Sequence, residues 1–135
     1  MTQATWIPAP GPDSQPFFDG AAAGKLRLQV CDSCGTWTFP VARICANCGS
    51  NNIVWRDASG KGRVYAHGRL ARAYHPRHAE RLPLVLAQVD LAEGVRLHTN
   101  IIDVTPDQLR VGGTVEVTFE HFADGGVLPV FRPAD

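Results

Sequence analysis

The chain has 135 residues, with 13 lysines and arginines balanced by 13 aspartates and glutamates, and 44% hydrophobic side chains. That length holds one ordinary domain or two small modules. No apolar run approaches the roughly 18 residues of a membrane span, so a soluble, cytoplasmic protein with no membrane partner is expected.

Residues 1–14 are rich in proline, alanine and glycine and read as an extended arm. Asp13 or Ser14 is placed to cap a short helix through Gln15-Pro16-Phe17-Phe18-Asp19-Gly20-Ala21-Ala22-Ala23, which Gly24 ends. Phe17 and Phe18 exceed what so short a helix buries by itself. They dock either onto the rest of the protein or onto a partner.

Lys25-Leu26-Arg27-Leu28-Gln29-Val30 alternates strictly and predicts a strand. It leads into Cys31-Asp32-Ser33-Cys34-Gly35. Thr36-Trp37-Thr38-Phe39 is the return strand, stopped by Pro40. A second copy of the pattern, Cys45-Ala46-Asn47-Cys48-Gly49, follows with ten residues between Cys34 and Cys45, and precedes the strand Ile53-Val54-Trp55.

A Cys-x-x-Cys followed by glycine forms a tight knuckle whose backbone N–H groups point at the sulfurs. Two facing knuckles offer four thiolates to a tetrahedral ion, so Cys31, Cys34, Cys45 and Cys48 are predicted to hold a structural zinc. The four use every cysteine of the chain. Disulfides are the first alternative, but they need an oxidising compartment, and Met1-Thr2-Gln3-Ala4 does not open a charged-then-apolar signal region. A redox pair needs only one such motif, opening a helix. Iron in the same cage stays open. A cage closed by four protein ligands leaves no position for substrate, so the metal is expected to serve folding.

From Gly60 the pattern changes to longer β segments. The first starts at Arg63-Val64-Tyr65-Ala66 and is predicted to run to about Tyr74. Leu84 to Leu91 follows, then a turn at Glu93-Gly94 and the strand Val95-Arg96-Leu97-His98-Thr99-Asn100-Ile101. Thr105-Pro106-Asp107-Gln108-Leu109 reads as one capped helical turn. Thr114-Val115-Glu116-Val117-Thr118-Phe119-Glu120 alternates most cleanly, and Asp124-Gly125-Gly126 turns into Val127-Leu128-Pro129-Val130-Phe131. Five strands with a helical turn between the third and fourth is the order of an OB-fold barrel. The predicted fold is therefore mainly β, with an N-terminal arm and short helix (1–24), a rubredoxin-like zinc ribbon (25–58) and a five-stranded OB-fold barrel (59–135).

Charge is unevenly spread. Residues 61–81 carry six positive side chains against Glu80 alone, and residues 82–135 carry eight acids against three arginines. The basic stretch is either a face that meets an anion or a solvated, charge-guarded strand edge.

In its ordered motifs the chain resembles the zinc-ribbon plus OB-fold proteins of the DUF35 family. The matching stretches are Phe17-Phe18-Asp19-Gly20, Gly24-Lys25-Leu26-Arg27-Leu28-Gln29, the two knuckles, Gly60-Lys61-Gly62-Arg63-Val64-Tyr65, His75-Pro76 and Leu82-Pro83-Leu84-Val85-Leu86-Ala87-Gln88-Val89-Asp90-Leu91. Glu93 through Ile101, Arg110-Val111-Gly112 and Leu128-Pro129-Val130-Phe131-Arg132-Pro133 complete the set. Similar proteins are small partners of acyl-CoA enzymes: thiolase-like enzymes, aldolases that shorten steroid side chains, and MaoC-like hydratases.

The resemblance implies a non-catalytic subunit that assembles with and stabilises a thiolase-like or aldolase subunit and helps bind the CoA moiety. On that reading Phe17 and Phe18 are the partner contact, with Trp6 a further candidate. Arg63, Arg69, Arg72, Arg77 and Arg81 become candidates for the phosphates of CoA or acyl-CoA. His75 joins them from the connection between the first two barrel strands, where OB-folds place ligand contacts. His98, on an alternating strand, is expected to face solvent. No nucleophile elbow or phosphate loop is present, so no residue is assigned as catalytic. Two rivals remain: a single-stranded nucleic-acid module, opposed by few barrel aromatics and the acidic C-terminal half, and a stand-alone acyl-CoA hydrolase or hydratase.

Overall fold

The computed structural model describes residues 9–74 and 76–134, without the side chains of Arg77 and His78; Trp6 and His75 lie outside the described residues. Helix α1 (Gln15–Ala22) forms as predicted, with proline in its first turn, and Gly24 at φ 75° ends it. Neither expected side chain caps it. The Ser14 hydroxyl bonds back to the Gly11 backbone, and Asp13 pairs with Arg43 at 2.7 Å.

Strands β1 (Arg27–Cys31), β2 (Trp37–Thr38) and β3 (Ile53–Asp57) make an antiparallel sheet in the order β2-β1-β3. Gln29 of the central strand lies opposite both Thr38 and Trp55. So small a sheet cannot bury enough apolar surface to stand unaided.

Strands β4 (Lys61–Leu70), β5 (Leu84–Leu91), β6 (Arg96–Ile101), β7 (Thr114–His121) and β8 (Val127–Pro133) close a barrel in the order β4-β5-β6-β8-β7. The β6–β8 pairing is parallel, with Ile101 opposite Phe131; the other pairings are antiparallel. This closure, in which the fifth strand inserts between the third and fourth, is that of the OB-fold. A short helical turn at Pro106–Gln108 links β6 to β7, with the Thr105 N–H donating to Gln108 Oε1 at 3.2 Å. The first barrel strand is shorter than predicted: β4 stops at Leu70, and a 3-10 segment (Pro76–Arg81) occupies the connection to β5.

Alternation explains the barrel core. Val85, Ala87, Val89 and Leu91 of β5 point inward, meeting Val64, Leu97, Ile101, Val115 and Phe131. Leu26 and Leu28 from the ribbon side join the same cluster, so ribbon and barrel share a core. Burying each such side chain contributes about 1.5–3 kcal/mol. The junction is also tied through polar groups. The Ala58 N–H donates to Leu26 O at 2.8 Å, and the Ser59 N–H to Glu93 Oε2 at 2.7 Å. Gly60 sits there at φ 76°, where a Cβ would overlap the Val117 side chain.

Candidate metal centre and anion surface

Strand β1 ends on Cys31, and the first knuckle follows at once. The Gly35 N–H donates to Cys31 O at 2.7 Å, and in the second knuckle the Gly49 N–H donates to Cys45 O at 2.8 Å. Both glycines have positive φ, 79° and 77°, a geometry that turns the chain back toward its own sulfurs. The hydroxyls of Ser33 and Ser50, 3.0 Å apart, join the two knuckles.

The four Sγ atoms lie within 4.8 Å of one another, with Cys31 and Cys45 buried and Cys34 and Cys48 at the surface. Cys31 to Cys48 and Cys34 to Cys45 are each 3.6 Å between sulfurs. A disulfide brings sulfurs to about 2.05 Å, so neither pair is one. Metal–sulfur bonds of about 2.3 Å in a tetrahedron place sulfurs about 3.8 Å apart, and the donor set fits that cage.

Electrostatics agree. The Cys34 thiol is lowered to about 6, first by its hydrogen bond with the Thr36 side chain, then by Asn47 and the Thr36 backbone. Asn47 Nδ2 donates to its sulfur at 3.6 Å. Cys48 is raised to about 12: the Ser50 backbone N–H pulls it down, but Cys31, desolvation and the other two sulfurs outweigh that pull. A dication held between crowded sulfurs favours their thiolate forms.

The predicted anion residues are spread along β4 and the connection that follows it. Arg63 and Arg69 lie six residues apart on β4, so about 20 Å separates their positions along the strand. Arg63 Nη1 donates to Gly112 O at 3.2 Å. Arg69 is exposed at the far end, and Arg72, beyond β4, lies over the Tyr74 ring at 5.5 Å from its centroid. Arg81 is bound inside the protein: its Nη2 reaches both carboxylate oxygens of Glu120 at 2.8 Å. His75 and the Arg77 side chain are outside the described residues. His98 is exposed, as expected, with its Nε2 3.4 Å from Gln88 Nε2.

Phe17 and Phe18 both pack within the chain. Phe17 stands edge-on to Phe18 at 5.2 Å, lies 6.0 Å from Phe39, and packs against the shared core. Phe18 lines a groove of about 360 Å³ between α1 and the Asp124–Val127 turn. Sequence reasoning did not single out Gln29, which is buried, nor the stack in which Arg96 covers Tyr65 at 3.3 Å while binding Asp90 at 2.6 Å. Alternating polar positions carry no sign of either.

A four-cysteine ribbon joined to an OB barrel defines a class of zinc-ribbon scaffold proteins. Two family models match the chain: the rubredoxin-like zinc ribbon domain of ChsH2 over residues 18–54 and its C-terminal OB-fold domain over residues 55–120. A DUF35 domain-containing scaffold protein from Methanocaldococcus jannaschii is 34% identical over 71% of this chain and 68% of its own length. The chain belongs to the DUF35 family. A probable enoyl-CoA hydratase alpha subunit from Thermomonospora curvata is 37% identical over 94% of this chain, which spans 39% of that protein. Among solved structures, an Ltp2-ChsH2(DUF35) aldolase chain matches with TM-score 0.85 and 35% identity, over 96% of this chain and 100% of that one. No helix among the described residues is long and apolar enough to cross a membrane.

Proposed function

We propose that the chain is a non-catalytic, zinc-stabilised subunit that assembles with a thiolase-fold acyl-CoA enzyme of the aldolase kind and stabilises it. The observation that carries this reading is the match over nearly the whole chain to the DUF35 component of an aldolase complex. In this reading Cys31, Cys34, Cys45 and Cys48 hold a zinc ion that supplies shape and takes no part in turnover. The partner supplies nucleophile and base for retro-aldol or thiolase chemistry on an acyl-CoA, including the shortening of a steroid side chain.

Phe18, half-buried at the edge of the helix–barrel groove, is the aromatic offered to the partner, whereas Phe17 serves mainly the fold. Arg69, Arg72, His75 and Arg77 cluster in sequence at the end of β4 and its connection, and take the CoA phosphates by charge-assisted hydrogen bonds; Arg63 adds charge further along the strand. Co-expression with an Ltp2-type aldolase subunit tests the assembly. A stable complex, with aldolase solubility or turnover lost when this chain is omitted, supports it. Two proteins that elute separately, with the aldolase fully active by itself, contradict it. Replacing Arg69 and Arg72 by alanine is expected to raise KM for the CoA substrate without loosening the complex.

The Thermomonospora relative favours a second reading, in which the partner is a MaoC-like enoyl-CoA hydratase. Hydration of an enoyl-CoA, assayed on the same co-expressed preparations, separates the two.

A further inference from the structure

Gln29 is a polar side chain only 6% exposed, in the middle of the ribbon's central strand. Its Oε1 accepts the Ala42 N–H at 2.7 Å, and that bond fixes which end of the carboxamide is oxygen. Among the described residues nothing accepts from Nε2. A buried amide donor without an acceptor is costly and rare in native structures.

Gln29 lines a pocket of about 270 Å³ together with Val41, Ile53 and Trp55, and Asp13 and Arg43 line it as well. Both Arg43 contacts to Asp13 go to Oδ2, at 2.7 and 3.2 Å, which leaves Oδ1 open to a donor. A peptide unit has one C=O and one N–H. The pocket offers one buried donor, one free carboxylate oxygen and the apolar side chains of Val41, Ile53 and Trp55.

We propose that this ribbon pocket receives a peptide segment of the partner enzyme, whose backbone carbonyl accepts from Gln29 Nε2 while its N–H donates to Asp13 Oδ1 and an apolar side chain packs against Val41, Ile53 and Trp55. The inference rests on the subunit reading, since it needs a protein partner.

The test uses the full-length, zinc-loaded chain. Nuclear magnetic resonance follows the Gln29 carboxamide pair during titration with N-acetyl-leucine N-methylamide, and binding to an Ltp2-type aldolase subunit is measured in parallel. The dipeptide is expected to shift the pair saturably, and Gln29→Glu, which keeps the oxygen that Ala42 needs, to weaken the complex at least tenfold. Because a buried carboxylate can unfold the ribbon, Asp13→Ala at the exposed rim is the second variant. It is expected to weaken the complex comparably with zinc content and Tm unchanged. A carboxamide pair unmoved by the dipeptide overturns the proposal, as does wild-type affinity in both variants. In the latter case the subunit reading stands. A shifted pair with an aldolase that ignores the wild-type chain keeps the pocket and removes that enzyme as partner.

Discussion

Arg81 Nη2 donates to both carboxylate oxygens of Glu120 at 2.8 Å, across 39 residues of chain. The side chains are 23% and 26% exposed, and the guanidinium also lies 5.7 Å from the Phe122 ring centroid. The pair therefore works in a partly desolvated setting, where such contacts count for more than at an open surface. It fastens the 3-10 connection to the barrel and withdraws one arginine from the cationic stretch.

Arg81→Ala is expected to cost about 1–3 kcal/mol in urea unfolding, because it leaves the half-buried Glu120 carboxylate without its strongest partner. Arg81→Lys should recover only part, since an ammonium keeps the charge but not the planar guanidinium that lies against the Phe122 ring. Unfolding of Arg81→Ala at the wild-type midpoint would remove this structural role.

The fold was legible in sequence because its two halves announce themselves differently. The knuckle glycines and cysteine spacing specify the cage by covalent proximity, and the structure brings the four sulfurs together. The barrel order follows from period-two alternation, seen in the inward row Val85, Ala87, Val89 and Leu91. What the sequence hides is pairing at a distance. Nothing local in Arg81 announces Glu120, and nothing in Asp13 announces Arg43 in place of a helix cap. Gln29 reads as a polar position on an alternating strand, yet it is buried and bonded to Ala42. Phe17 looked free to meet a partner because Phe39, its neighbour in space, is 22 residues along the chain.

Metal removal separates folding from chemistry. Native mass spectrometry is expected to find one zinc per chain, released on acidification as protons compete for the four thiolates. Chelation at neutral pH should disorder the ribbon first, since its sheet has little core of its own. Cys45→Ser should behave like the chelated protein and lose partner assembly. Assembly that survives with zinc gone would contradict a structural role for the metal.

Gly60→Ala tests the ribbon–barrel junction. The residue would have to hold φ near 76° with a Cβ overlapping Val117. Strain of this kind costs about 1–3 kcal/mol, and the clash adds to it. A drop in Tm with zinc content intact is the expected result.

Asp90 accepts hydrogen bonds from Arg96, chiefly for which reason its carboxyl titrates below its ordinary value, against a smaller desolvation effect. A carboxylate shifted downward on folding stabilises the native state above its unfolded pKa, and that contribution disappears as pH falls through the lower folded value. Asp90→Asn should therefore lower Tm at neutral pH and converge on wild type below about pH 3. Both partners are 43% exposed, so the difference at pH 7 should stay below about 1 kcal/mol.

The central claim is that this chain completes another enzyme and performs no chemistry alone. Its most direct test is isothermal titration of the zinc-loaded chain into an Ltp2-type aldolase subunit, with retro-aldol turnover followed along the titration. The account predicts a saturable association whose stoichiometric endpoint coincides with full activity and with loss of binding in Cys45→Ser. Titration without heat, or turnover already complete before this chain is added, would contradict it.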